Sequence, residues 1–297
     1  MNNDDLLTRF LLPAAGVRGV HVRLRESWQT LLSHADYPAA ARELLGEACV
    51  AAALFTGHTK IDGRLSIQLR SSSALRTLFA ECTASGQIRG IAQLAEDSGD
   101  APRDLRQLGE DALLAITIEN PGLDPREPQR YQSLVGLDAG RLDEAFEDYF
   151  RQSEQLPTRL LLASDGTRAA GLLLQKLPGD AGDEDGWNRI GALFDTLATT
   201  ELLDTDGETL VHRLFHEEAP QSLGGKPLHF GCSCSRERVE GMLQALGEDE
   251  ARAAAEATGA VEVRCEFCGQ EYQFPEAELK TLFQPVALQH EAPPHLH

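Results

Sequence analysis

Four of the chain's six cysteines fall in one short stretch, as Cys232-x-Cys234, then thirty residues, then Cys265-x-x-Cys268. Two close pairs with enough chain between them to fold back is how a protein builds a tetrahedral four-thiolate zinc site. That pattern constrains everything around it, because one ion would hold four points of a small segment together. We therefore expect Cys232, Cys234, Cys265 and Cys268 to bind a single Zn²⁺. The first pair is unusual: one intervening residue, where structural sites usually have two or more, confines two sulfurs to a short piece of backbone.

At 297 residues, the chain is long enough for roughly two domains and a substantial core. Its 42% hydrophobic and 25% charged residues are a globular composition, and the formal net charge of −20 disfavours a nucleic-acid binder, which needs a basic surface for phosphates. The start, Met1 through Phe10, is acidic before it is apolar and lacks the basic opening of a secretion signal, and no apolar run approaches membrane-helix length. A cytoplasmic protein without nucleic-acid or membrane partners is expected, where clustered cysteines read as metal or redox sites.

Along the chain, residues 19–24 alternate apolar and polar as a half-buried strand does, and residues 25–34 fit a short helix. Pro38 suits the first turn of a long helix reaching about Phe55, apolar around much of its surface and so expected in the core; Cys49 on it reads as a small core residue. Strands are expected over 64–69, 75–82, 87–94, 112–119 and 130–137, with connections too short for repeated helical crossovers and hence mostly antiparallel. Cys82 ends one of them and reads as structural or incidental. A helix over 142–153 and strands over 159–163 and 169–175 complete an α+β domain, residues 1–177.

The composition shifts at Pro178. Residues 178–229 hold eleven acids against Arg189, Arg213 and Lys226, yet carry Trp187, Ile190, Phe194, Leu203, Leu210 and Phe215, too many large apolar groups for a solvated linker. Two helices, about 187–199 and 207–217, must pack on something, and such an amphipathic linker is a candidate for marginal stability. Residues 230–289 form the small cysteine domain: Ser235 caps a helix to about Leu246, a second spans 248–258 before Gly259, and strands over 261–264 and 271–274 flank the CxxC. Residues 290–297 read as a frayed tail.

No GxGxxG, P-loop, HExxH or GxSxG is present, and His216-Glu217-Glu218 is a fragment of a metal helix without its second histidine, so no enzyme is indicated and there are no catalytic residues to name. For the four thiolates the spacing alone favours a zinc that merely staples. The staple is nonetheless breakable, because thiolate is the form that oxidants attack. A Cys265–Cys268 disulfide would remove half the ligands. Any Cys232–Cys234 disulfide would be strained, later to form and easily reduced. Two alternatives stay open here: a thiol–disulfide oxidoreductase using Cys265 and Cys268, and a zinc-stapled adaptor without redox role.

The chain closely resembles, over nearly its whole length, the 33-kDa heat-shock chaperone family of bacterial cytosolic holdases. The resemblance is carried by Cys232-Ser-Cys234-Ser-Arg-Glu-Arg with Cys265-Glu-Phe-Cys268, and by Val17-Arg18-Gly19, Asp36-Tyr37-Pro38, Leu44-Leu45-Gly46-Glu47, Glu147-Asp148-Tyr149-Phe150 and His216-Glu217-Glu218. It implies an ATP-independent chaperone, inactive when reduced and zinc-bound. Oxidation to Cys232–Cys234 and Cys265–Cys268 disulfides would expel zinc, unfold the C-terminal domain and release the linker, exposing apolar surface to unfolding client proteins, commonly as a homodimer. Arg70-Ser71-Ser72-Ser73 and Ser133 depart from the family pattern, in turns and strands away from the zinc motif.

Overall fold

The structure is a computed structural model that describes residues 4–96, 98–122, 128–179, 182–256 and 259–283. The chain divides into two compact units, Met1–Cys232 and Ser233–His297.

In the first unit, β1 (Leu6–Leu12), β2 (Val17–Leu24) and α1 (Glu26–Leu32) lead into the long helix α2 (Ala39–His58). Then come β3 (Arg64–Arg70), β4 (Leu75–Thr83), β5 (Gln87–Leu94), β6 (Leu113–Asn120) and β7 (Gln129–Val135). These are followed by α3 (Leu142–Tyr149), β8 (Thr158–Ser164), β9 (Ala169–Lys176), α4 (Gly186–Phe194), α5 (Thr199–Asp204), α6 (Gly207–Phe215), β10 (Gln221–Pro227) and β11 (His229–Phe230). Two sheets result, ordered β10-β1-β2-β9-β8 and β11-β5-β4-β3-β6-β7. Pairing is antiparallel apart from β11, which lies parallel to β5. The mostly antiparallel α+β expectation is met. β1, β10 and β11 were not expected: β1 has two apolar runs around the adjacent polar pair Thr8-Arg9, and β10 is Gly-rich and exposed, so neither carries a clean alternation.

The core follows from α2. From Leu44 to Thr56 every one of its residues is buried, so it needs apolar partners all round, and it packs against strands of both sheets. Its open N-terminal turn is completed by the Asp100 carboxylate, which accepts from the Ala40 and Ala41 amides at 2.9 and 3.1 Å. Cys49 and Cys82 are both buried. Burial pushes both thiols up, that of Cys82 to about 12, which keeps them in the unreactive protonated form. The expected helix over 142–153 ends at Tyr149 and loosens into a π-helical turn, Phe150–Glu154. At the β3–β4 turn, Ser71 Oγ lies 2.8 Å from Ser73 Oγ and donates to the Leu75 carbonyl at 2.6 Å, so hydroxyls close this hairpin.

The acidic stretch after Pro178 does pack on something. Ile190, Phe194, Leu202, Leu210 and Phe215 of α4 to α6 form one buried cluster with Phe10, Leu12, Val17, Leu172 and Leu174 of the five-stranded sheet. On β9 Leu173 joins the core around α2 while Leu172 and Leu174 face these helices, so that strand is buried on both sides. Around the cluster, Arg159–Asp195 at 3.0 Å and Arg168–Asp204 at 2.5 Å are rim ion pairs, worth little beside the apolar contact. Phe215 is fully buried and stacks on Phe10 with centroids 6.2 Å apart. Phe215→Ala is expected to cost about 3–5 kcal/mol, as other large-to-small core changes do. Amide exchange of α6 in the otherwise folded chain should accelerate accordingly; unchanged exchange would mean that α6 is held by something other than this face.

The second unit holds α7 (Arg236–Leu246), α8 (Glu248–Ala255), β12 (Ala260–Arg264), β13 (Glu271–Pro275) and α9 (Glu276–Leu282), with β12 and β13 an antiparallel pair. Ser235 caps α7, its Oγ accepting from the Arg238 amide at 3.3 Å. Residues 257 and 258 of the expected second helix, 284–289 of the expected cysteine domain and the expected tail 290–297 lie outside the described residues.

Candidate metal centre

Each cysteine of the two pairs sits where the local chain is least regular. Cys232 follows β11, whose end is tied down by the Gly231 amide donating to the Ile88 carbonyl at 3.1 Å. Cys234 immediately precedes the Ser235 cap of α7, and the Arg238 guanidinium donates to the Ser233 carbonyl and hydroxyl at 2.9 and 2.7 Å, folding the helix start back over the CxC backbone. Cys265 and Cys268 occupy the turn that joins β12 to β13. The Gly269 amide donates to the Cys265 carbonyl at 2.8 Å and the Cys265 amide to the Gln270 carbonyl at 2.9 Å. Gly269 has φ +68°, a left-handed conformation that a side chain would strain, so the turn is drawn tight at a position suited to glycine.

The result brings together the four cysteines that the spacing singles out. One Sγ from each of Cys232, Cys234, Cys265 and Cys268 lies within 4.8 Å of all the others, and Cys234 Sγ is 3.4 Å from Cys268 Sγ. All four are half-buried thiols, not disulfides. A tetrahedral ion with metal–sulfur bonds of about 2.3 Å sets its sulfurs about 3.8 Å apart, so this cluster fits a four-thiolate metal site with only small side-chain adjustment. No other group of three or more metal-ligating side chains occurs among the described residues. The His216-Glu217-Glu218 fragment does other work: His216 stacks on His212 at 5.6 Å, and Glu218 is buried against Arg189, accepting at 2.5 and 3.0 Å.

One neighbour of the cluster was not legible in the sequence. The Tyr272 hydroxyl donates to Cys234 Sγ at 3.2 Å, and this bond, followed by burial and by the charge of the neighbouring sulfurs, pushes the phenol up to about 12. A hydrogen bond from outside the ligand set orients the sulfur it meets. Alternation along β13 places Tyr272 on one face, but its reach to a sulfur 38 residues earlier depends on the fold of the unit.

The apolar support beneath these thiols is small. Val239, Leu243, Ala251, Ala255, Val261, Phe274 and Leu279 are the buried cluster of the second unit, with the Arg236 guanidinium lying over the Phe274 ring at 4.3 Å. A core of this size supplies only about 3–5 kcal/mol in a unit of fewer than roughly 70 residues.

The sequence profile of the Hsp33 protein family matches residues 5–275. The 33 kDa chaperonin of Ectopseudomonas mendocina (strain ymp) is 43% identical over 286 residues, which cover 94% of this chain and 95% of the relative. That of Pseudomonas aeruginosa (strain LESB58) is 40% identical over 289 residues, covering 95% and 96%. The crystal structure of a 33 kDa chaperonin, a heat shock protein 33 homolog from Thermotoga maritima, aligns with a TM-score of 0.73 over 94% of this chain and 97% of its own, at 20% identity. At that identity the likeness is one of fold.

Proposed function

The chain belongs to the Hsp33 family, and from that premise we propose that it is a redox-regulated, ATP-independent holdase of the cytoplasm and not an enzyme. The observation that carries the proposal is the gathering of four thiols within 4.8 Å of one another over a core of seven buried apolar residues. In the reduced state Cys232, Cys234, Cys265 and Cys268 would hold one Zn²⁺. The ion, when bound, supplies a redox-inert cross-link and keeps its four ligands as thiolates.

Those thiolates are the sensor. Hypochlorous acid takes two electrons from a pair of thiolates: the sulfurs join, the chlorine leaves as chloride and the oxygen as hydroxide. We assign the pairs as Cys265–Cys268, joined first, and Cys232–Cys234, the more strained and more easily reduced. Each disulfide removes two donors, so the ligand set is lost and the metal with it. A structural zinc contributes on the order of 10–16 kcal/mol in finger peptides, well beyond what the small core provides, and the segment from 230 to 289 unfolds. The acidic helices of 178–229 then leave the five-stranded sheet. Apolar faces on both become available to unfolding client proteins, with a homodimer as the oxidised form.

The CxxC stands in a hairpin turn and not at a helix N-terminus, where a thiol's pKa would be lowered for catalysis, which weighs against a thiol–disulfide oxidoreductase. The test is to treat zinc-loaded protein with hypochlorite and follow zinc release, far-UV circular dichroism, sedimentation and suppression of client aggregation together. Four thiols should be lost while Cys49 and Cys82, buried in the core around α2, stay reduced. Release of zinc with no gain in aggregation suppression would sink the proposal.

A further inference from the structure

The first unit contains a cavity of about 300 Å³ where the C-terminal end of α2 meets both sheets. Its wall is divided by chemistry. Phe55, Leu65, Ile116, Ile118 and Phe150 make one side apolar, while Arg18, His58 and Gln175 form a polar end. The polar end is the unusual part. Arg18 Nη2 donates to Gln175 Oε1 at 2.6 Å and lies 2.9 Å from His58 Nε2, and Gln175 in turn donates to Thr158 Oγ1 at 3.0 Å. Every partner of the guanidinium is therefore neutral, and Arg18 has no carboxylate within ion-pair distance among the described residues. Glu154, the acid on the same wall, instead accepts from the Tyr149 hydroxyl at 3.2 Å.

Two buried polar atoms are left over. Arg18 Nε and His58 Nδ1 are shielded from solvent and have no hydrogen-bond partner. With Nε2 accepting from Arg18, the imidazole carries its proton on Nδ1, so both leftovers are N–H donors. A part-buried cation without a counter-charge, beside two unused donors, costs free energy unless something answers it. Lys60 at the rim adds a second positive charge.

We propose that this cavity binds a small monocarboxylate with an apolar body, its head pairing with the Arg18 guanidinium through Nη1, which makes no hydrogen bond among the described residues, and its tail lying against the Phe55–Ile118 wall. A cavity of this size is at the small end for ligand sites and suits a molecule of about ten heavy atoms. A lone inorganic anion would leave the apolar side unfilled, and a neutral hydrocarbon would leave the Arg18 charge unanswered. The carboxylate with a tail answers both. Burial, reinforced by the Arg18 charge and opposed by a hydrogen bond with Gln175, holds His58 at about 4, so at neutral pH the ring is neutral and the site's positive charge is that of Arg18, with Lys60 at the rim.

Octanoate is a direct probe, titrated calorimetrically into the full-length reduced protein beside octanamide, which has the same tail without the charge. One site is expected, with octanoate binding roughly 10- to 100-fold more tightly than octanamide, the range of a charge-assisted hydrogen bond. Arg18→Gln should bring octanoate down to the octanamide level and leave octanamide unchanged. Ile118→Trp, which fills the tail end and spares the polar end, should abolish binding of both and guards against an Arg18 variant that fails to fold. Octanoate that does not bind, that binds no better than octanamide, or that binds Ile118→Trp as it binds the parent chain overturns the proposal. None of these readouts involves zinc or oxidant, so the outcome stands apart from that of the redox experiment.

Discussion

Replacing Cys268 by serine is expected to yield a protein without zinc, whose C-terminal unit is unfolded and which suppresses client aggregation with no oxidant present. The magnitudes decide this. A four-thiolate site contributes on the order of 10 kcal/mol, and the seven-residue cluster from Val239 to Leu279 supplies about 3–5 kcal/mol, so even a partial loss of the metal's contribution exhausts what the unit has left. Serine is nearly isosteric with cysteine, and the turn hydrogen bonds of Cys265 and Gly269 use backbone atoms, so the substitution removes a ligand without removing the turn. Zinc stoichiometry, amide exchange over 233–283 and an aggregation assay read the three parts separately. A zinc-stapled adaptor would lose metal and structure in the same way but gain no client binding, and that outcome would exclude the redox switch.

How the two halves of this prediction were legible differs. The cluster of four thiols can be read from spacing because its pattern is local: Cys232-x-Cys234 and Cys265-x-x-Cys268 need only a chain long enough to fold back, and the Ser235 cap and the β12–β13 hairpin that deliver them have their own local signals. The long apolar helix α2 was equally plain, because a helix buried on every side has no polar face to hide the pattern. What escaped is what depends on distant partners. β10 is exposed, Gly-rich and without alternation, and becomes a strand because β1 offers it an edge. β11 is two residues long and exists only through β5. The apolar residues of 178–229 demanded a surface, but nothing in them says that the surface is the outer face of β1, β2 and β9. The Arg18–His58–Gln175 cluster joins residues up to 157 positions apart, and no local period could announce it.

That outer face carries the second large expectation, a loss of stability in mild acid that does not require oxidant. His21 of β2 is 2% exposed and lies under α6, where a Cβ at Gly207 would run into its ring, so glycine is what lets the helix start so close. Burial comes first among the forces on it and the Arg23 charge second, and together they outweigh the opposing pull of Asp206 and lower His21 to about 4; His58 is lowered to about 4 as well. In the unfolded chain both would titrate near 6.5. Between about pH 6.5 and 4 the unfolded state therefore binds more protons than the folded one, and stability falls as pH falls, by about 1.4 kcal/mol per pH unit for each histidine. Over the whole window that is about 3.5 kcal/mol each and about 7 kcal/mol together. Glu47 and Glu147, whose carboxyls burial raises, take up protons in the folded state and blunt the lower end of the loss. Urea unfolding of the first unit at a series of pH values should show this slope at constant zinc, with the α6 amides opening earliest because Asp206 and Gly207 sit against His21. An NMR titration that finds His21 protonating near 6.5 in the folded chain would mean that the ring is not held neutral under α6. The acid sensitivity would then have to come from somewhere else in the molecule.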